Sequence, residues 1–318
     1  MARLKARARR RKRLRAFPRW GNLKNMIVAL LVSLAVQAAP ATVPPAPSDP
    51  IEADWRTIPD DELLVMTLAG NRTVVIRLAT PYAPEHVANV RRLALAHWWD
   101  DTSVYRVQDN WVTQWGDETE KKPLPAGIAP RPAAEYDIAA GFRPAQRMTA
   151  SDAYSGASGV TADGWAVAGG KPGAGSVAEG SPGWLAHCYA SVGVARDASP
   201  DTGTGSELFM PIGGSARRLD RNYTIVGRVI EGASLLSGLP RSDAPMGMYA
   251  TAAERLPIVS VRLASDMPAA GRPRYQYRAA NNPRFAALIA ARENPKPPTI
   301  GLGGADVCDV PLATRRAP

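Results

Sequence analysis

Between Leu63 and Leu263 the apolar residues fall in short runs rich in β-branched side chains, and only two stretches carry helical spacing. LLVMTL at Leu63 to Leu68 and TVVIRL at Thr73 to Leu78 are separated by Ala69, Gly70, Asn71 and Arg72, so they read as a hairpin whose Gly and Asn supply the unusual turn angles. Pro84 and Glu85 suit a first helical turn, and Val87, Val90, Ala94 and Trp98 follow at helical spacing, predicting a helix from Ala83 to about His97. Further strands are expected within Val104 to Asp117, at Ser191 to Arg196, at Glu207 to Ile212 and at Tyr223 to Ile230. A short helix at Ser234 to Leu239 is halted by Pro240, and Pro257 to Leu263 alternates as a last strand. Strands bracketing one clear helix suit a mainly β, closed antiparallel barrel better than an α/β sheet.

The charge has to be located before it is interpreted. The chain of 318 residues carries a net charge of +10, which would suggest nucleic acid. Eleven of the bases lie in Met1 to Asn25, however, and no acid appears before Asp49, so the remainder holds 28 bases against 29 acids. The nucleic-acid reading thereby loses its support. The basic block runs into MIVALLVSLAVQA at Met26 to Ala38, an apolar run ending in small residues, which has the form of a secretory signal peptide over residues 1–39. Crossing a bilayer takes about 20 apolar residues, so no stable membrane insertion is expected after cleavage, with an uncleaved inner-membrane anchor as the alternative.

Residues 40–60, which hold PATVPPAPSDP at Pro40 to Pro50, read as a proline-rich linker, and the main domain as 61–265. Within that domain residues 118–183 are rich in Pro, Gly, Ala and Ser, with little alternation, and read as a long loop insertion. Its segment Gly164 to Lys171 invites a phosphate-loop reading and fails it: the lysine comes one residue late, Pro172 stands where Ser or Thr should bind magnesium, and no strand is seen leading in. The C-terminal extension, 266–318, holds one helix, with Asn282 as N-cap, Pro283 at the first position, Phe285, Leu288 and Ile289 on one face, and Asn294-Pro295 as terminator. Cys188 and Cys308 are the two cysteines, and an even count in an exported chain points to one disulfide, which would pin this tail back; two separate buried thiols are the alternative.

The stretch VYRVQDNWVTQWGD at Val104 to Asp117 is odd for plain core, because a buried Arg106 and Gln114 would each need partners to offset desolvation. If no bulge intervenes, positions 104, 106, 112 and 114 share one strand face. An apolar cleft with two fixed polar groups is the simplest account, with Trp115 left to the core. The three histidines, His86, His97 and His187, form no metal-ligand spacing or nucleophile triad.

Together with SELFM at Ser206 to Met210, LDRNYTIVGRVIEG at Leu219 to Gly232 and the helix near Pro84, this stretch resembles the cyclophilins, peptidyl-prolyl cis-trans isomerases built on an eight-stranded barrel capped by two helices. The resemblance implies Arg106 as the catalytic arginine and Gln114 as the active-site glutamine. Trp111, Val112, Ala195, Phe209, Leu219 and Tyr223 become the substrate pocket. Glu207 stands where the family has glutamine, and Arg218 where many members carry a tryptophan that contacts cyclosporin, which implies weak binding of that inhibitor. What the resemblance further implies is action on proline-containing polypeptides, without metal or cofactor; the signal peptide makes the periplasm the expected compartment, and a monomer is the expected form. A catalytically weak chaperone or proline-segment binding module on the same barrel is the alternative.

Overall fold

The computed structural model describes residues 47–318 apart from Ser151, Gly175, Ser215 and Leu302. The signal peptide and the start of the linker lie outside the described residues. A first strand, β1 (Trp55–Thr57), precedes the barrel, which begins with the hairpin β2 (Leu63–Leu68) and β3 (Arg72–Leu78). Helix α1 (Pro84–Leu95) leads to β4 (Ser103–Val107) and β5 (Val112–Gly116). Four strands are then inserted: β6 (Gln146–Arg147), β7 (Ala157–Val160), β8 (Ala166–Gly169) and β9 (Gly183–Leu185). The barrel resumes with β10 (Ser191–Val194), β11 (Leu208–Pro211), β12 (Ile225–Glu231), helix α2 (Ala233–Ser237) and β13 (Leu256–Leu263), and the chain ends with β14 (Tyr275–Arg278), α3 (Pro283–Glu293) and β15 (Thr314–Arg316). Around the closed antiparallel barrel the order is β10-β11-β5-β4-β13-β2-β3-β12, with β12 pairing back onto β10.

The hairpin forms as its sequence dictates, Leu63 opposite Arg77 and Leu68 opposite Arg72, with Gly70 and Asn71 at positive φ in the turn. Its two runs are apolar at both parities because both faces are covered. Leu64, Met66, Val74 and Ile76 fill the barrel, while Leu63, Val65 and Val75 pack outward against Ile58, Ala264 and Tyr275. Full burial of each such side chain is worth about 1.5–3 kcal/mol. The outer cover is a separate sheet, β1-β14-β15, in which Trp55 lies opposite Arg278 and Tyr275 opposite Arg316. The proline-rich linker is therefore shorter than its sequence suggests: Glu52 to Glu62 already forms two 3-10 turns around β1.

Residues 118–183 also depart from the loop expectation. From Gln146 they form the sheet β6-β7-β8-β9, so strands do flank the Gly164 turn, although the lysine spacing still excludes a phosphate loop. The strands are short and Ala- and Gly-rich, which hid their alternation. One face, with Trp165, Val167 and Leu185, packs on Ala79 and Ile225 of the barrel side; the other, with Val160 and Ala166, packs on Phe285 and Ile289 of α3. Helix α3 starts as read, with the Asn282 side chain accepting from the Phe285 N–H. Cys188 and Cys308 are disulfide-bonded, Cα to Cα 5.2 Å, and tie the extension to the segment between β9 and β10. A second tie is ionic: Arg217, with its side chain 4% exposed, bridges Asp220 at 2.7 Å, Asp152 of the insertion at 2.9 Å and Asp306 of the extension at 3.1 Å.

Candidate active site

The barrel wall β4-β5-β11 carries the site, and a bulge aims it. Opposite β5, Val104 pairs with Trp115 but Arg106 pairs with Gln114, so Tyr105 is the extra residue. The shared face expected for 104 and 106 is thereby corrected: Val104 points into the barrel core, as does Trp115, and Arg106 points out beside Gln114. Tyr105 also faces outward, since its hydroxyl reaches Glu207. No strand-parity argument could place Tyr105 there, because the bulge reverses the alternation.

Arg106 is held by three acceptors. Its Nη1 donates to Gln114 Oε1 at 2.9 Å, its Nη2 to Gln108 Oε1 at 2.6 Å and its Nε to the Met246 carbonyl at 2.8 Å. Burial lowers its pKa, yet a guanidinium keeps its proton at any physiological pH. Gln114 in turn donates through Nε2 to the Tyr105 hydroxyl, which donates to Glu207 Oε2 at 2.7 Å. Glu207 Oε1 accepts from the Asp117 N–H at 2.8 Å. Gly116, at φ +147°, is required here because any Cβ would collide with the Glu207 carboxylate. Burial pushes the Glu207 carboxyl up to about 7 despite the bonds from Tyr105 and Asp117. The Tyr105 phenol is raised as well, first by its own burial and then by the neighbouring Glu207 charge.

Beside this polar line lies an apolar pocket. Val112, Phe209 and Leu219 form a buried cluster, with Trp111, Ala195 and Tyr223 packed against it. Tyr223 meets Phe209 edge-on at 5.3 Å, and His187 stacks parallel behind Phe209 at 6.2 Å. The Phe209 ring lies over Gly193, where a side chain would displace it. All eight residues singled out from the sequence line one cleft of about 260 Å³. Sequence reasoning does not reach Tyr105, Gln108, Met246 or Met248. Gln108 carries only a weak signal, and the two methionines come from a loop with no local pattern pointing to the site. Through Gln114 and Ala195 the groove continues into a second cleft of about 250 Å³ beside Glu207 and Lys122.

An apolar pocket for one side chain, set beside a fixed arginine and an amide on the outer wall of a closed barrel, defines a peptide-binding protein whose chemistry needs no nucleophile. The chain belongs to the cyclophilin-type peptidyl-prolyl cis-trans isomerases: the model of that family, described as cyclophilin type peptidyl-prolyl cis-trans isomerase/CLD, matches residues 63–262. Among solved structures, cyclophilin AquaCyp293 from Hirschia baltica is similar at 21% identity and a TM-score of 0.62, with 82% of this chain and 93% of that one covered. A cyclophilin type peptidyl-prolyl cis-trans isomerase of Cryptosporidium parvum, solved in the presence of the dipeptide Ala-Pro, aligns at 13% identity over 63% of this chain and 98% of its own, with a TM-score of 0.38. No curated protein sequence matches. The inserted sheet lies inside the span matched by the family, and the C-terminal extension lies outside it.

Proposed function

We propose that Arg106 and Gln114 carry the isomerisation of Xaa-Pro bonds, with the proline ring seated against Val112, Phe209 and Leu219 and walled by Trp111, Ala195 and Tyr223. The observation that carries this reading is the convergence of the apolar pocket with a guanidinium already oriented by Gln114, Gln108 and the Met246 carbonyl. Rotation about the prolyl amide must overcome about 18–20 kcal/mol of resonance barrier. As the bond twists, the prolyl nitrogen pyramidalises and its lone pair, shared with the carbonyl in the planar amide, localises on nitrogen. Arg106 retains a free N–H on each terminal nitrogen and can donate to that lone pair, an interaction the planar ground state does not make. The Gln114 amide, oriented through Tyr105, would hold a substrate carbonyl as the peptide turns.

The substrates would be proline-containing polypeptides met after export. The basic segment followed by a short apolar run supports export, and so does the Cys188–Cys308 disulfide, which suits an oxidising compartment such as the periplasm. Among the described residues no helix is long and apolar enough to cross a membrane. We expect no nucleic-acid partner, on the near-neutral charge of the chain after its first 25 residues.

A second reading, a binding module with little turnover, draws on the same three acceptors, since they already occupy much of the Arg106 donor capacity. Isomerisation of a prolyl tetrapeptide by wild type and Arg106→Ala separates the two. Loss of one transition-state donor should cost about 100- to 1,000-fold in kcat/KM. Equal rates in both proteins, or no rate above background in wild type, would favour the binding module.

A further inference from the structure

The hydrogen bonds that run from Glu207 to Arg106 have a direction, and the charge of Glu207 decides it. An ionised carboxylate only accepts, so the Tyr105 hydroxyl must donate to Oε2 at 2.7 Å, and its oxygen is left to accept from Gln114 Nε2. That fixes the Gln114 amide with Oε1 toward Arg106, where it accepts from Nη1 at 2.9 Å. Tyr105 is 4% exposed, so no bulk water can take over either role of its hydroxyl. At the far end Glu207 Oε1 accepts from the Asp117 N–H at 2.8 Å, which leaves Oε2 as the oxygen that takes a proton. Once protonated, Oε2 becomes a donor to Tyr105. The phenol hydrogen must then turn to Gln114, whose carbonyl oxygen swings round to receive it. Gln114 Nε2 comes to face Arg106 Nη1, donor against donor, and the bond between them is lost.

The surroundings of Glu207 let it change charge near neutral pH. The charged groups that share its cleft are Asp117, Glu120 and Lys122 on the segment after β5, and Arg196, Asp197 and Asp201 on the loop between β10 and β11. Burial raises the Glu207 carboxyl to about 7, and the Asp117 and Glu120 charges add to the rise. The two cations are engaged elsewhere: Lys122 donates to the Asp100 carbonyl at 2.6 Å, and Arg196 donates to Asn222 and to the Asp197 carbonyl. Tyr105, on β4, has its own pKa raised by burial and stays a neutral relay. We propose that Glu207 is a positioning residue for Arg106: its ionised carboxylate sets the line through Tyr105 and Gln114 that orients the guanidinium, and its protonation reverses that line and withdraws Gln114. The inference rests on the reading of Arg106 and Gln114 above and adds to it a control of their alignment by pH.

The test uses the full-length mature protein and a prolyl tetrapeptide, with exchange rates measured by NMR from about pH 5.5 to 8.5, since kcat/KM against pH reports groups of the free enzyme. The nitrogen signals of the Arg106 guanidinium and the Gln114 side-chain amide are followed over the same range. In wild type kcat/KM should rise with pH by about two- to tenfold, the worth of one hydrogen bond, with a midpoint near 7. Glu207→Gln keeps the Asp117 bond through its carbonyl and so presents Nε2 to Tyr105, as the protonated acid would. Its rate should be flat with pH, at the level wild type shows at the acid end. Tyr105→Phe keeps Glu207 but cuts the line, and its rate should be flat as well. A wild-type profile without the rise, or a rise that survives in either variant, would overturn the proposal and leave the isomerase reading standing. So would a Glu207→Gln rate that stays at the wild-type level of the alkaline end. Arg106 and Gln114 signals that shift with a midpoint near 7 in wild type but not in Glu207→Gln, without turnover by any of the proteins, would uphold the positioning and remove the isomerase reading.

Discussion

Glu207 offers a test of the site's electrostatics that does not depend on turnover. Its carboxyl is raised from 4.5 to about 7, with burial as the leading cause. Below about pH 4.5 the group is protonated in folded and unfolded chains alike, and its relative contribution to stability is fully present. As pH rises toward 7 the folded state keeps a proton that the unfolded state has released, so stability falls with pH. Above about pH 7 both states are charged and the loss is complete. The full size of that loss is about 3 kcal/mol as an upper limit, at ~1.4 kcal/mol per tenfold change in proton affinity. Glu207→Gln removes the titration while keeping an acceptor for the Asp117 N–H. It deprives the Tyr105 hydroxyl of its acceptor, at a pH-independent cost of about 1 kcal/mol. The stability of the variant minus that of wild type should therefore rise by about 2–3 kcal/mol between roughly pH 4.5 and 8.5, whatever its offset. Urea denaturation followed by tryptophan fluorescence across that range, with the disulfide kept oxidised, reads the difference directly. A difference flat with pH, or one that falls, would refute the burial argument for Glu207.

Two further outcomes concern what holds the additions to the barrel. Arg217→Met should destabilise by about 3–5 kcal/mol in the same denaturation assay, because it strands Asp152, Asp220 and Asp306 without their shared cation. Replacing Cys188 and Cys308 together by Ala removes a tie across 120 residues and should cost at most about 4–5 kcal/mol on the loop-closure argument. Limited proteolysis of that variant should release the C-terminal extension before the barrel, and simultaneous loss of both would contradict the placement of the tie.

Much of the cleft lining is legible in the amino-acid sequence alone, since Arg106, Gln114, Phe209, Leu219 and Tyr223 sit in runs that resemble the family's, and the structure brings them to one cleft. The hairpin at Leu63 to Leu78 and the Asn282-capped helix are legible for a different reason: turn angles, caps and periodicity are local, and the chain states them within a few residues. Tertiary structure alone decides the rest. The bulge at Tyr105 depends on how β4 meets β5, and it turns Tyr105 and Arg106 to the same side. The second buried face of the hairpin exists because β14, some 200 residues later, returns to cover it. The insertion sheet is stable because barrel and α3 press on its two faces, not because its own residues alternate strongly. Glu207 stands out in the sequence as a departure from glutamine, but its raised pKa comes from desolvation by distant parts of the chain, a property of three-dimensional enclosure that no local pattern encodes.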